Sequence, residues 1–206
     1  MERDKKSSKP PVGKTGASKV YIGLLHYPVY NKNGETVSSA VTNLDIHDIA
    51  RVAKTYDLSG YFIVTPDSRQ RELVAKICGH WLEGYGASYN CDRGSALKLV
   101  KISSDIEEVV KEIEEEDGRV PLIAATSASI DASFKDKIIS IKEAAGYVEE
   151  GDISMLILFG TGWGLAREIL ERSDIILSPV LGRENYNHLS VRSAAAIIVD
   201  RLLEKR

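Results

Sequence analysis

Residues 154–165, Ser154-Met155-Leu156-Ile157-Leu158-Phe159-Gly160-Thr161-Gly162-Trp163-Gly164-Leu165, set an apolar run directly before three glycines at alternate positions. An uninterrupted run of this length predicts a strand covered on both faces, Ser154 to Phe159. The glycines let the main chain turn sharply and pass close to a ligand, with free amides at the start of the following helix. Their spacing is Gly-x-Gly-x-Gly, not the Gly-x-Gly-x-x-Gly dinucleotide fingerprint, and the strand comes late in the chain, which argues against a nicotinamide cofactor. Taken alone, the loop fits ligand binding and simple turning, with Trp163 as a packing residue, equally well.

Working outward, the same alternation recurs. Strands are expected at Val20 to Leu25, Tyr61 to Thr65, Leu97 to Ile102, Val120 to Ala125 and Asp174 to Ser178, with a turn around Asn31 to Gly34. Helices are expected from Asp45 to Asp57, capped by Asn43 or Asp45, and from Pro66-Asp67 to Glu83. Others run from Ser104 to the acidic stretch ending at Asp117-Gly118, from Phe134 to Ala145, from the glycine loop to Arg172, and from Leu189 to Lys205. Six apolar runs separated by helices predict an α/β fold: a mostly parallel six-stranded sheet with helices on both faces. Ligands bind such sheets where loops leave the carboxyl ends of the strands, which singles out the loops at Thr126, Gly160 and Ser178.

Composition bounds the rest. A chain of 206 residues with 43% hydrophobic content can bury a core as one domain. Residues 1–19 are rich in Lys, Ser, Pro and Gly and read as a disordered arm, leaving 20–206 as the folded domain. In the arm, Arg3, Lys5, Lys6, Lys9, Lys14 and Lys19 oppose Glu2 and Asp4, a net +4; since the whole chain is −3, the remainder is −7. An RNA footprint on this body must therefore be local or supplied by the arm. No apolar run is long enough to cross a bilayer and the N-terminus lacks the apolar centre of a secretory signal, so a cytoplasmic protein with no membrane partner is expected. Cys78 and Cys91 lack metal-site spacing, and His26, His47, His80 and His188 are scattered, so no metal is expected.

A second constellation follows the last predicted strand: Ser178-Pro179-Val180, a polar loop through Asn187-His188-Leu189-Ser190, then a helix carrying Ala194, Ala195 and Ala196. Alone it reads as an ordinary capped C-terminal helix. That helix is apolar over much of its circumference, which predicts burial on more than one side and a partner subunit.

Phe159 to Leu165, then Leu177-Ser178-Pro179-Val180, then His188-Leu189-Ser190-Val191 before an alanine-rich helix resemble, in order and separation, the last two motifs of SpoU-type and related SPOUT methyltransferases. Asp45 to Tyr56, with Arg51-Val52-Ala53, is similar to the family's first motif, a helix carrying an arginine. The likeness spans most of 20–206 and is greatest to a bacterial group of small SPOUT proteins classed with RNA methyltransferases and likened to the TrmD guanine methyltransferases. Thr161 stands where the SpoU motif has a Glu, in a loop one residue shorter, and His188 stands where it has an Asn. Ribose 2′-hydroxyl and base methylation both stay open.

The resemblance implies a homodimeric, S-adenosylmethionine-dependent methyltransferase of tRNA or rRNA with a C-terminal trefoil knot. It implies a cofactor pocket of Thr126, Ser127 and Ala128; Phe159, Gly160, Thr161, Gly162, Gly164 and Leu165; and Leu177, Ser178, Val180, His188 and Leu189. Phe159, Leu165, Leu177 and Leu189 would be apolar walls for the adenine ring. Arg51, reached from the partner subunit, with Asn187 and Ser190 near the acceptor, would carry catalysis; without the likeness Arg51 reads as part of a solvated helix face with His47 and Lys54. One rival is a non-catalytic RNA- or protein-binding module that kept the fold. Another, a nucleotide-binding enzyme of a different class, would need a phosphate-binding lysine beside Gly160, and the next basic residue is Arg167.

Overall fold

The computed structural model describes residues 16–129, 131–184 and 186–204. Strand β1 (Lys19–Leu25) leads into a hairpin, β2 (Val29–Tyr30) and β3 (Thr36–Val37), then α1 (Asn43–Thr55) and β4 (Gly60–Val64). Helices α2 (Ser68–Leu82), α3 (Tyr85–Tyr89) and α4 (Cys91–Leu97) precede β5 (Val100–Ser103), α5 (Ile106–Asp117), β6 (Leu122–Thr126) and β7 (Ile138–Ile139). The chain ends in α6 (Ile141–Glu150), β8 (Ser154–Gly160), α7 (Arg167–Arg172), β9 (Ile175–Leu177) and α8 (Val191–Leu203).

The main sheet runs β5-β4-β1-β8-β6-β9-β7, with every neighbouring pair parallel. Alternate side chains feed two cores. Ile22, Leu24, Ile63, Ile157 and Phe159 pack with α1, α2, α4, α6 and α8 on one face, while Tyr21, Leu25, Phe62, Leu156 and Leu158 pack with α5 and α7 on the other. Each fully buried Leu, Ile or Phe contributes about 2 kcal/mol of hydrophobic stabilisation, which is why strands covered on both sides read as unbroken apolar runs.

The sheet has seven strands rather than six. The extra one, β7, lies where a helix was expected to begin at Phe134; that region is a 3-10 turn (Ala132–Phe134), then β7, and only then α6, whose start is set by the Ser140–Glu143 capping box. Strand β5 begins at Val100 rather than Leu97, because α4 runs to Leu97, burying it, and ends at its C-cap Lys98. The expected turn at Asn31 to Gly34 closes the β2–β3 hairpin, with Asn31 Oδ1 accepting from the amides of Asn33 and Glu35. Residues 1–15 of the proposed arm and Lys205 at the predicted end of the last helix lie outside the described residues; Lys19 is already in β1, its amide donating to Ile153 O at 2.8 Å.

Helix α1 is capped by Thr42, not Asn43 or Asp45. Thr42 Oγ1 accepts from the Asp45 amide and donates to Asp45 Oδ2 at 2.6 Å. Asp45 is buried, and its Oδ1 accepts from Arg192 Nη1 of α8 at 2.8 Å. This ion pair clamps the start of α1 to the start of α8. Asp45→Ala removes this pair and the Thr42 contact but leaves Arg192 partly exposed with Asp48 at 3.4 Å, and is expected to cost about 2 kcal/mol. The melting temperature should fall on the order of 8 °C; a shift under a degree would show that the clamp contributes nothing.

The apolar circumference of α8 is largely explained within the chain. Ala195, Ile198, Val199 and Leu202 are buried in the core shared with α1, α6 and β8, so that pattern does not itself call for a second subunit.

Candidate cofactor site at the strand ends

From β1 the sheet extends through β4 and β5 on one side and through β8 and β6 on the other, so the strand order reverses at the β1–β8 junction. A crevice outside the carboxyl ends opens at such a point. Register places Leu25 opposite Gly160, Leu158 opposite Ala125, and Thr126 opposite Leu177. The loops after β6, β8 and β9 therefore rise from three adjacent strands. They are also tied to one another: Thr126 Oγ1 donates to Leu158 O at 2.9 Å, and Asn187 Nδ2 donates to Ala128 O.

The glycine loop after β8 is folded tightly. A Cβ on Gly160 would sit 2.5 Å from the Leu165 nitrogen and 2.8 Å from the Gly164 carbonyl carbon, and one on Gly162, at φ +59°, would sit 2.8 Å from Tyr30 O. Only main chain fits there. The hairpin holds the loop, with Trp163 N donating to Tyr30 O and Tyr30 N to Gly164 O, both at 2.9 Å. Trp163 is 68% exposed, so it is not the packing residue of the simpler reading.

The loop after β9 is held differently. Ser178 N donates to Ile139 O at 2.8 Å, but among the described residues no main-chain amide from Val180 to Leu189 has a protein partner. Among the described residues of this stretch, the main chain is left as an unusual density of free donors and acceptors. Tyr186 (75% exposed), Leu181 and Leu189 stand out from the same loop, and Tyr186 meets His188 edge-on at 5.4 Å. The loop ends at Ser190, whose Oγ caps α8 by accepting from Ser193 N at 3.2 Å. Ser127 folds its hydroxyl onto Ser129 O. This is what a pocket for a nucleoside needs, main-chain groups to read a base edge beside flat apolar surface.

The side chains foreseen as walls are placed otherwise. Phe159 and Leu177 are each 1% exposed within the α8-side core, and Leu165 is buried in the opposite core, so these positions offer a ligand main chain rather than rings. Leu189 is exposed, and Val180 and Ser178 are half-buried at the loop base. Arg51 lies in the third turn of α1, exposed, with no side-chain ion pair or hydrogen bond among the described residues; only its carbonyl is used, by Thr55 Oγ1. His47 does not share its solvated face: its ring packs edge-on to Trp81 at 5.7 Å, with Nδ1 buried and unpartnered. Burial, then the nearby Arg93 guanidinium, lowers the His47 pKa.

Two residues absent from the sequence-based set also border the glycine loop. His26 follows β1 and is fully buried; Ser39 lies in the connection to α1. His26 Nδ1 is 3.0 Å from Ser39 Oγ, which is 2.5 Å from Thr161 Oγ1. Burial pushes the His26 pKa down to about 4, against the opposing pull of the Asp45 carboxylate and the Ala40 carbonyl. No local pattern marks these residues, because Ser39 and Thr161 are 122 positions apart. Among the described residues no His, Cys, Asp and Glu group is arranged to hold a metal, and no helix is long and apolar enough to cross a membrane.

The fold is a doubly wound parallel sheet with glycine-built loops at its switch point, the place where open α/β sheets bind their ligands. The chain belongs to a family described as SAM-dependent RNA methyltransferases, whose model matches residues 19–204. It is 46% identical over 186 residues to a tRNA (guanine-N(1)-)-methyltransferase of Oleidesulfovibrio alaskensis, covering 89% of this chain but 42% of that protein, so it spans under half of that relative's length. It is 37% identical to an uncharacterized protein of Aquifex aeolicus, covering 90% of this chain and 89% of that one. Its fold matches the SpoU methyltransferase AviRb of Streptomyces viridochromogenes, solved with AdoMet, at a TM-score of 0.55 and 14% identity over 93% of this chain and 59% of that one.

Proposed function

We propose that this chain, as a cytoplasmic homodimer, transfers the methyl group of S-adenosylmethionine to a nucleotide of tRNA or rRNA. The observation that carries this reading is the unpartnered main chain among the described residues of Val180 to Leu189, beside a glycine loop with no room for a Cβ at Gly160 or Gly162, a cradle for the adenine edge and ribose of a nucleoside. The relative named as a tRNA guanine-N1 methyltransferase favours tRNA and a base acceptor.

When bound, the cofactor would supply an electrophilic methyl on a sulfonium, with the neutral sulfide as leaving group. The protein's part is to position the acceptor and relieve it of a proton. Thr126, Ser127 and Ala128, the Gly160, Thr161, Gly162 and Gly164 loop, and the stretch containing Ser178, Val180, His188 and Leu189 would hold the cofactor, chiefly through main chain. Asn187 is fixed by Ala128 O and Ser190 by its capping role, so both present defined polar atoms near the acceptor. The Asn187 contact brings the segment after β9 against the loop after β6, and a trefoil knot between these segments belongs to this proposal.

Arg51 begins about 12 Å along the axis from the start of α1, at 1.5 Å per residue. It is therefore set back from its own strand ends and free of partners, as an arginine that serves the neighbouring subunit's site would be. Residues 1–15, where Arg3, Lys5, Lys6, Lys9 and Lys14 outnumber Glu2 and Asp4, would add basic charge to the folded domain and offset the acidic body toward phosphates.

Incubation with methyl-labelled S-adenosylmethionine and either bulk tRNA or rRNA tests the proposal. Label is expected in one RNA fraction, and digestion with mass spectrometry then names the methylated nucleoside. Bound cofactor with no label in either fraction would leave a non-catalytic binding module.

A further inference from the structure

We infer that His26 is a positioning residue for the cofactor loop, acting through Ser39 on Thr161 and held as the Nδ1–H tautomer. The inference rests on the proposed cofactor site and adds what keeps that site in shape.

Counting protons fixes the direction of the chain. Leu25 O can only accept, so the Thr161 hydroxyl donates to it, at 3.1 Å. The 2.5 Å contact between Thr161 Oγ1 and Ser39 Oγ must then be a donation from Ser39. That uses the one Ser39 proton, so the 3.0 Å contact with His26 requires Nδ1 to carry a hydrogen. His26 is 0% exposed and Nε2 is buried with no partner among the described residues, which fits a bare lone pair on a neutral ring. Burial keeps the ring neutral at working pH.

The chain joins three segments that meet only at the switch point. Leu25 and His26 end β1, Ser39 leads into α1, and Thr161 sits between Gly160 and Gly162. His26 is anchored at its own main chain, its amide donating to Val64 O at 2.9 Å and its carbonyl accepting from Ser39 N at 2.8 Å. A loop with glycines at 160, 162 and 164 has the conformational freedom to collapse, and Thr161 is its only residue with a hydroxyl to fix it. The motif likeness places a Glu where Thr161 stands; here a neutral relay anchored in the core takes up that position. Pre-ordering the loop spares the cofactor the entropy of organising it.

The whole chain supplies the test. Ser39→Ala and Thr161→Val should each raise the dissociation constant for S-adenosylmethionine about tenfold. Saturating cofactor should restore turnover of Ser39→Ala to within about twofold, a KM effect and not a kcat effect. Ser39→Thr, which keeps the hydroxyl, should bind as wild type does. Independently of any variant, long-range proton–nitrogen NMR of the imidazole in the free wild-type protein should report Nδ1–H for His26. If wild type binds the cofactor but Ser39→Ala binds equally well, or His26 proves to be the Nε2–H tautomer, the relay is overturned while the methyltransferase proposal stands. If wild type binds no S-adenosylmethionine, both fall.

Discussion

Arg51→Ala is expected to abolish methylation of the RNA substrate while leaving S-adenosylmethionine affinity within about twofold of wild type. The separation follows from geometry. Arg51 is exposed on α1, its guanidinium has no partner among the described residues, and it touches none of the three strand-end loops. Its removal therefore disturbs neither the fold nor the cofactor cradle. A cation placed to hold phosphate or to favour a deprotonated acceptor acts only when RNA is present, and loss of such a group lowers turnover about 100-fold or more. Arg51→Lys should recover little, because a point charge lacks the planar fork of donors. Mixed dimers provide the sharper reading. In the proposed dimer, Arg51→Ala on one subunit combined with a disabled cofactor loop on the other keeps one complete site if Arg51 serves the neighbouring subunit's site, and none if it serves its own. Unchanged turnover by the homodimeric Arg51→Ala variant removes Arg51 from the mechanism.

Gly160→Ala should eliminate cofactor binding and lower stability by about 3 kcal/mol. The new methyl would be driven to 2.5 Å from the Leu165 nitrogen and 2.8 Å from the Gly164 carbonyl carbon, main-chain atoms that cannot rotate away. Relief requires the loop to open, and opening breaks the contacts of Trp163 N and Gly164 O with Tyr30. Gly164→Ala makes a fitting comparison. No atom lies within 4 Å of its added Cβ, so the cost there is the positive φ of +103° alone, and a smaller loss is expected. Calorimetric unfolding and cofactor titration on both variants check the order; equal behaviour of the two would mean the close packing at Gly160 is unimportant.

Much of this architecture is legible in one sequence because β1, β4 and β8 are long strands covered on both faces, and such strands advertise themselves as apolar runs. The amphipathic pattern of α1 and the Ser-Asp and Gly118 boundaries of α5 carry their own signals too. What stays hidden is short or distant. Two-residue β7 is held by pairing with β9 rather than by its own propensity, and α3 and α4 break up a Gly-, Asn- and Ser-rich stretch that resembles a loop. The glycine loop was visible as a motif, yet the burial of Phe159 and Leu177 was not, since an apolar residue at a strand end can face either a core or a ligand. The contact between Ser39 and Thr161 depends on tertiary folding alone.

Isothermal titration of the protein with S-adenosylmethionine measures the central claim most directly. The account predicts saturable heat with a dissociation constant on the order of 1 μM–1 mM, abolished by Gly160→Ala and retained by Arg51→Ala. Absence of heat from folded wild-type protein up to millimolar cofactor, or undiminished binding by Gly160→Ala, would contradict it.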